Sequence, residues 1–301
     1  MWSPDVVFKA LSLSMLDSIW QMGLCWIVYL VLTRLLNVSK PRAAFTWGYL
    51  FSIIGFSCWG ITFYNYLDPP FFNFPLSDGF FLKGYYSTEP FVQFRIFSTL
   101  YLAGLSFASL RFIVQYRRLH SLVQSPSTPT PEMLTSFVQK QITQMGISHR
   151  IQVKISELTQ VPFTYGFWKP VILFPLAALN HLDLYETEAI LLHELEHIRR
   201  KDYLLNYWII VLDLVFFFNP FSRAFTASLR QTREQCCDDQ VLKNDYPAWQ
   251  YASALLKLAE NENSPSPLWM LGALSPSSPL LQKRIERFIR PSASSAIPFS
   301  I

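Results

Sequence analysis

Long apolar runs dominate the first part of the chain, and three of them match the length of about 20 residues that a helix needs to cross a bilayer. The runs cover residues 11–36, 43–66 and 91–116. The first run is too long for a secretory signal, and no small-residue cleavage site follows it. Its polar exceptions, Asp17 and Gln21, lie one helical turn apart, so we expect them to face other helices instead of lipid. The pattern predicts a polytopic membrane region over residues 1–118.

Basic residues flank these runs and set their orientation. They are Arg34, Lys40 and Arg42 in the first connection, and Arg117 and Arg118 after the third run. Because cytoplasmic flanks carry the excess of Lys and Arg, both places are expected to be cytoplasmic. The loop 67–90 and the N-terminus then lie outside, and everything after Tyr116 lies in the cytoplasm.

Beyond residue 118 the pattern changes to short alternating segments. A Ser- and Pro-rich linker at 125–131 precedes an amphipathic helix over 132–145. Three short strands are predicted over residues 151–155, 161–166 and 171–174. A capping box at Asp183 to Glu186 opens a helix that runs to about Arg200. These elements predict an α+β domain with a small sheet over residues 119–262.

One further apolar run, over residues 203–218, is about 16 residues long and ends at Asn219-Pro220. This length falls short of a comfortable membrane span. A helix over 221–242 follows. The tail over 263–301 is rich in Pro and Ser, and its one basic helical piece, 280–289, is expected to pack weakly or to stay disordered.

Composition supports a membrane protein. Of the 301 residues, 51% are hydrophobic and 15% are charged, whereas soluble domains carry about 25% charged residues. The net charge of +4 is mild, and the basic residues cluster beside apolar runs. This distribution gives no reason to expect direct binding of nucleic acid.

The residues that carry chemistry are His193-Glu194-Leu195-Glu196-His197. Two histidines four residues apart lie on one helix face, so both imidazoles can reach one metal ion, and a carboxylate between them can polarise water. This is the signature of a zinc-dependent hydrolase. A solvated polar helix face is the alternative. On a helical wheel, Glu194 and Glu196 flank the histidines about equally, so spacing does not choose between them.

A catalytic zinc usually has three protein ligands, and several residues are candidates for the third. They are His120, His149, His181 and Glu234. Glu234 and Asp238 lie four residues apart on one predicted helix face. One of these carboxylates could bind zinc while the other orients a ligand histidine.

Several stretches together resemble the BlaR/MecR-like membrane metallopeptidases, a family of bacterial zinc proteases. The matching stretches are Leu16 to Gln21, Pro162 to Pro175, His193 to Asp202, Asn219-Pro220, and Glu234 with Cys237-Asp238. The resemblance covers residues 10–245 and is most specific over 162–241.

The resemblance implies a mainly α protein of the bacterial inner membrane with a cytoplasmic, gluzincin-like domain. It implies Zn²⁺ held by His193, His197 and Glu234, with Glu194 as the general base and Asp238 orienting a ligand. The implied activity is cleavage of the protein itself or of a cytoplasmic repressor; a homodimer is left open. We hypothesise that a strand edge within 161–174 holds an extended peptide.

The chain also departs from the antibiotic-sensing members of the family. No Ser-x-x-Lys motif occurs, and about sixty residues follow the helix 221–242, so we expect no penicillin-binding sensor domain. A catalytically inactive signalling or scaffold protein is the alternative reading. If Glu234 completes the site, both ends of the run 203–218 lie on one side. We therefore hypothesise that this run packs in the zinc domain, or dips into the membrane surface and returns.

Overall fold

The computed structural model describes residues 2–38, 40–68, 91–148, 150–166, 169–244, 246–260 and 278–289. Within this part of the chain, three helices are long and apolar enough to cross a membrane. They are α1 (Pro4–Leu35), α2 (Pro41–Leu67) and α3 (Phe91–Gln124). The three predicted apolar runs are thus confirmed as helices. Most of the loop expected on the outside, from residue 69 to 90, lies outside the described residues.

Short helices and a small sheet follow. The helices are α4 (Glu132–Gln144), α5 (Leu176–His181), α6 (Leu184–Arg199), α7 (Asp202–Val215), α8 (Pro220–Lys243), α9 (Ala248–Glu260) and α10 (Ser278–Ile289). The strands are β1 (Gln152–Ser156), β2 (Phe163–Tyr165) and β3 (Val171–Pro175). The mainly α class with a small sheet is therefore confirmed, although α5 and α9 were not predicted.

Contacts divide the chain into two units, each with residues from separate stretches. The membrane unit contains the described residues of 1–111 and 211–229. The metal unit contains those of 112–210 and from 230 onward. The helices α3, α7 and α8 contribute residues to both units. The second half of the apolar run 203–218 therefore groups with the membrane helices.

Buried polar side chains join α1 to α2 in the membrane unit. The carboxylate of Asp17 accepts hydrogen bonds from Tyr66 Oη at 2.7 Å and from Trp20 Nε1 at 3.0 Å. Gln21 Nε2 donates to Thr62 Oγ1 at 2.7 Å. Both polar exceptions of the first apolar run are buried and bonded to the neighbouring helix, as their spacing predicted.

The connection between α7 and α8 reverses the chain inside the membrane unit. Asn219 is fully buried, and its Nδ2 donates to the Ser18 carbonyl oxygen of α1 at 3.0 Å. A Cβ on Gly104 of α3 would lie 2.5 Å from the ring of Phe217, so any larger residue there would force this ring to shift. Phe216 packs edge-on against Trp59 of α2, with ring centroids 5.3 Å apart.

These contacts fix the depth of the turn within the membrane unit. Ser18, Trp59 and Gly104 all lie well inside their helices and away from the helix ends. The turn between α7 and α8 therefore reaches far along the three membrane helices.

In the metal unit the sheet order is β1-β3-β2, with β1 parallel and β2 antiparallel to β3. Ile155 pairs with Phe174, and Phe163 pairs with Leu173. These apolar side chains are buried, so the sheet contributes one face to the core. Since β3 is central, β2 lies at an edge of this sheet.

The apolar core of the metal unit includes α10, which corrects one expectation. Leu281 and Phe288 are buried in the same cluster as the leucines of α6 and α9, and Ile285 packs against it. The three positions are spaced four and three residues apart, so they share one helix face. The expectation that the piece 280–289 packs weakly is therefore wrong.

Candidate metal centre

The helix α6 places His193 and His197 on one face, one turn apart. Asp183 caps its first turn, accepting from the Glu186 backbone N–H at 2.7 Å, while Glu186 Oε2 accepts from the Asp183 N–H at 2.9 Å. This capping box sets where the helix begins. Leu191, Leu192, Leu195 and Ile198 are buried in the core. The histidines therefore project from a helix that is fixed at its start and along one side.

Glu234 of α8 completes a group of three potential ligands within 4.8 Å of one another. His193 Nε2 lies 3.2 Å from His197 Nε2 and 3.4 Å from Glu234 Oε2. Glu234 Oε1 lies 3.8 Å from His197 Nε2. Two ligands of a tetrahedral zinc, each about 2.0–2.1 Å from the metal, are separated by about 3.3 Å. The spacing of these donor atoms fits such a site.

A buried carboxylate oxygen of the donor group also fits a cation. Glu234 Oε2 accepts no hydrogen bond although it is buried, and the same holds for one oxygen of each motif glutamate, Glu194 and Glu196. A buried polar atom without a partner is costly, and a divalent cation with its water satisfies such oxygens. Of the candidates for the third ligand, Glu234 alone joins the histidine pair within the described residues.

The other third-ligand candidates from the sequence lie elsewhere. His120 Nδ1 is hydrogen-bonded to Tyr165 Oη at 2.9 Å, and its Nε2 to Gln124 at 2.9 Å. His181 is exposed at the end of α5. His149 lies outside the described residues.

The two glutamates of the motif, which a helical wheel does not distinguish, have different surroundings. Thr164 Oγ1 of β2 donates to Glu194 Oε2 at 2.9 Å. Glu196 Oε2 instead accepts from Arg199 Nε at 2.9 Å. Each glutamate has one buried oxygen without a hydrogen-bond partner. They differ in the donor to the other oxygen, which is a neutral hydroxyl at Glu194 and a guanidinium at Glu196.

His197 has its partner close in the sequence. Its Nδ1 lies 2.8 Å from Asp202 Oδ2, a hydrogen-bond distance. Cys237 Sγ lies 3.4 Å from the same nitrogen, and Arg200 Nε donates to Asp202 Oδ1 at 3.2 Å. An aspartate on Nδ1 leaves Nε2 as the nitrogen that faces the centre.

His193 has its partners far away in the sequence. Its Nδ1 lies 2.8 Å from Tyr251 Oη and 3.3 Å from Asp238 Oδ1. Tyr251 Oη donates to Asp238 Oδ1 at 2.7 Å. Arg284 Nε donates to Asp238 Oδ2 at 2.9 Å. The sequence singled out Asp238, but it gave no reason to choose Tyr251 or Arg284.

The carboxylates strongly affect the protonation of the centre. Burial lowers the pKa of His193, but the neighbouring carboxylates of Asp238 and Glu234 raise it to about 9. Burial raises the pKa of Asp238, but the charge of Arg284 and the hydrogen bond from His193 lower it to about 2. Burial also raises the pKa of Glu234, while the charge of His197 holds it well below its ordinary value. A metal ion binds neutral imidazole, so a bound cation replaces a proton here.

Comparison with known proteins relates this centre to a peptidase family. The family model described as BlaR1 peptidase M56 matches residues 87–287, about two thirds of the chain. The regulatory protein BlaR1 of Bacillus licheniformis is 24% identical over 191 residues, covering 63% of this chain and 32% of the relative.

The methicillin resistance mecR1 protein of Staphylococcus aureus (strain Mu50 / ATCC 700699) is 29% identical over 109 residues, 36% of this chain and 19% of the relative. The mecR1 protein of Staphylococcus epidermidis matches with the same values. The chain thus spans about a third or less of the length of the curated relatives it matches.

Proposed function

Because the chain belongs to the BlaR1 peptidase M56 family, we propose that it is an integral membrane zinc endopeptidase that acts in signalling. Its substrate is the chain itself, a cytoplasmic transcriptional repressor, or both. The observation that carries the proposal is the convergence of donor atoms from His193, His197 and Glu234. The names of its relatives, a regulatory protein and methicillin resistance proteins, support a role in signalling.

In this mechanism Glu194 is the residue that moves the proton. When bound, zinc supplies Lewis-acid activation of water and of the scissile carbonyl. Glu194 takes the proton of the attacking water and later delivers it to the leaving amine. Thr164 holds Oε2 of Glu194, so Oε1, which accepts no hydrogen bond, is the oxygen available for this transfer. The ion pair of Glu196 with Arg199 supports the same choice.

The side chains bonded to Nδ1 of the two histidines orient these proposed ligands. Asp202 holds Nδ1 of His197, while Asp238 and Tyr251 hold Nδ1 of His193. Such partners fix the ring orientation and direct the other nitrogen towards the metal. Both histidines therefore present Nε2 to the same point.

The edge strand β2 is the element we assign to the substrate. Thr164, at its centre, is hydrogen-bonded to Glu194, so this strand lies next to the proposed catalytic carboxylate. A peptide added to the edge would be extended along the strand by backbone hydrogen bonds. Proline substitutions at 163–165 should abolish cleavage while zinc binding persists. A folded proline variant that still cleaves would refute this assignment.

For the topology, α1 to α3 cross the bacterial inner membrane, and the turn between α7 and α8 enters it from the cytoplasm and returns. The contact of Asn219 with Ser18, well inside α1, supports the entry. The metal centre then faces the cytoplasm. In this arrangement residues 1–118 form the membrane region and 119–262 the peptidase domain. The peptidase domain also includes α10, which lies within the stretch 263–301 expected as a tail.

Cysteine labelling tests the topology in a variant whose native cysteines are replaced. A cysteine at Phe218, in the turn, should react with an impermeant maleimide from neither side of the membrane. A matched cysteine at the exposed Glu157 should react only in inverted vesicles. Labelling at 218 from the outside alone would overturn both this topology and the three-ligand centre.

The function itself is tested on purified protein by zinc content and by cleavage. We expect about one zinc per chain, as in other centres with three protein ligands. The wild type should produce fragments that Glu194→Gln does not. Identical fragments from both forms would defeat the peptidase proposal and favour a non-enzymatic signalling protein.

A further inference from the structure

Arg284 of α10 is a buried cation that reaches the metal centre from the far end of the chain. It is 7% exposed, and its Nη1 lies 3.9 Å from Glu234 Oε2. We propose that Arg284 is a positioning residue, which selects the metal-binding tautomer of His193 through Asp238 and Tyr251. This inference rests on the proposed metal centre and adds a residue that acts on it.

The hydrogen bonds between Arg284 and Asp238 use both oxygens of the carboxylate. Arg284 Nε donates to Oδ2 at 2.9 Å and Nη2 donates to Oδ1 at 2.6 Å. This bidentate pairing fixes the plane of the carboxylate as well as its position. Asp238 can then act only as an acceptor towards its other neighbours.

The single hydroxyl proton of Tyr251 carries this constraint to the histidine. Tyr251 Oη lies 2.7 Å from Asp238 Oδ1, so the hydroxyl must donate there. Its lone pairs are left to accept, from Arg284 Nη2 at 3.3 Å and from His193 Nδ1 at 2.8 Å. His193 must therefore carry a hydrogen on Nδ1, which leaves the lone pair of a neutral ring on Nε2, facing Glu234.

The position of Arg284 is fixed by the packing of α10. Phe288 stacks on the Tyr251 ring, with centroids 5.3 Å apart. One turn from Arg284, Arg287 forms an ion pair with Asp239 and donates to the Gln235 carbonyl oxygen at 3.3 Å. Arg287 thus joins the same two helices without touching a proposed ligand, which makes it a matched control.

The test measures zinc affinity by competition with a chelator, and the visible spectrum of the Co²⁺-loaded protein, in detergent. Arg284→Met should weaken zinc binding about 10- to 100-fold, the usual cost of losing an outer partner of a ligand. It should also change the Co²⁺ spectrum. Arg287→Met should leave zinc affinity within about threefold and the spectrum unchanged.

A double variant checks that Arg284 acts through Asp238. In an Asp238→Asn background, Arg284→Met should change zinc affinity by less than about twofold, because the two residues act as a unit. Tyr251→Phe keeps the ring stacked on Phe288 and removes only the hydroxyl. It should weaken zinc binding even if Arg284→Met fails to fold.

Each contrary result has a separate meaning. Loss of a cation near a metal would strengthen zinc binding if Arg284 acted only as a nearby charge. Equal or tighter zinc binding by folded Arg284→Met, or wild-type affinity in Tyr251→Phe, therefore overturns the positioning role alone. A wild type that binds no zinc overturns the metal centre and this role together.

Discussion

The two helices that carry the proposed ligands are positioned in different ways. α6 begins at a capping box whose two members lie three residues apart, and it packs in the core of its own unit. The first turn of α8 is capped by Asn219, which donates to the carbonyl oxygen of Ser18, 201 residues earlier in the chain. Its Asp238 is held by Arg284, 46 residues later. One half of the centre is thus encoded locally and the other half by tertiary contacts.

The largest expected effect concerns the locally encoded helix. Glu194→Gln should lower cleavage about 10²- to 10⁴-fold, because the amide cannot take the proton that general acid–base catalysis requires. Zinc content should stay at the wild-type level, since Glu194 is not among the three donor residues. The measurement is the initial rate of fragment formation at matched zinc content.

Glu196→Gln is the matched control on the same helix. Its carboxylate is paired with Arg199, so we expect a change in rate within about threefold. Loss of cleavage in Glu196→Gln, with activity kept in Glu194→Gln, would reverse the assignment of the two acids.

The second effect concerns α8. Glu234→Ala should lower zinc affinity by at least about a hundredfold, more than the loss of an outer partner costs. Asp239→Asn, on the same helix and paired only with Arg287 among the contacts above, should keep wild-type affinity. If Glu234→Ala bound zinc with wild-type affinity, Glu234 would not be a zinc ligand.

The contrast between α6 and α8 explains what the sequence can predict. The spacing of His193 and His197, the capping box and the three apolar runs are local patterns, and the structure contains each of them. Spacing alone did not select Glu234 over the other candidates. That choice came from a family resemblance, because residue spacing within one helix does not show which other helix packs against it.

The residues that sequence reasoning missed follow the same rule. Thr164, Tyr251 and Arg284 reach the centre from separate elements. Their contacts with Glu194, His193 and Asp238 span 30, 58 and 46 positions of the sequence. One signal was present but not used. Leu281, Ile285 and Phe288 share a helix face, which is typical of a helix packed on a core.

The third prediction concerns Asn219, the residue that caps α8 and contacts Ser18. Asn219 both caps this helix, accepting from the Phe221 and Ser222 backbone N–H groups at 3.0 and 3.2 Å, and donates to Ser18. Asn219→Ala should lower the free energy of unfolding by about 2 kcal/mol, since a cap and a buried hydrogen bond each contribute about 1 kcal/mol.

Asn219→Ser separates the two roles of this residue, because serine also caps helices but is too short to reach Ser18. We expect Asn219→Ser to lower the free energy of unfolding by about half as much as Asn219→Ala does, measured by chemical unfolding in detergent. If Asn219→Ser were as stable as the wild type, the contact with α1 would contribute nothing.

The smallest effect tests the local start of α6. Asp183→Ala removes the side chain that accepts from the Glu186 N–H, and should lower the free energy of unfolding by about 1 kcal/mol. Asp183→Asn, which also caps, should lie within a few tenths of a kcal/mol of the wild type. Because the leucines of α6 remain in the core, zinc affinity should stay within about threefold in both variants. A large loss of zinc affinity in Asp183→Ala would mean that the cap, and not the core, holds His193 and His197 in place.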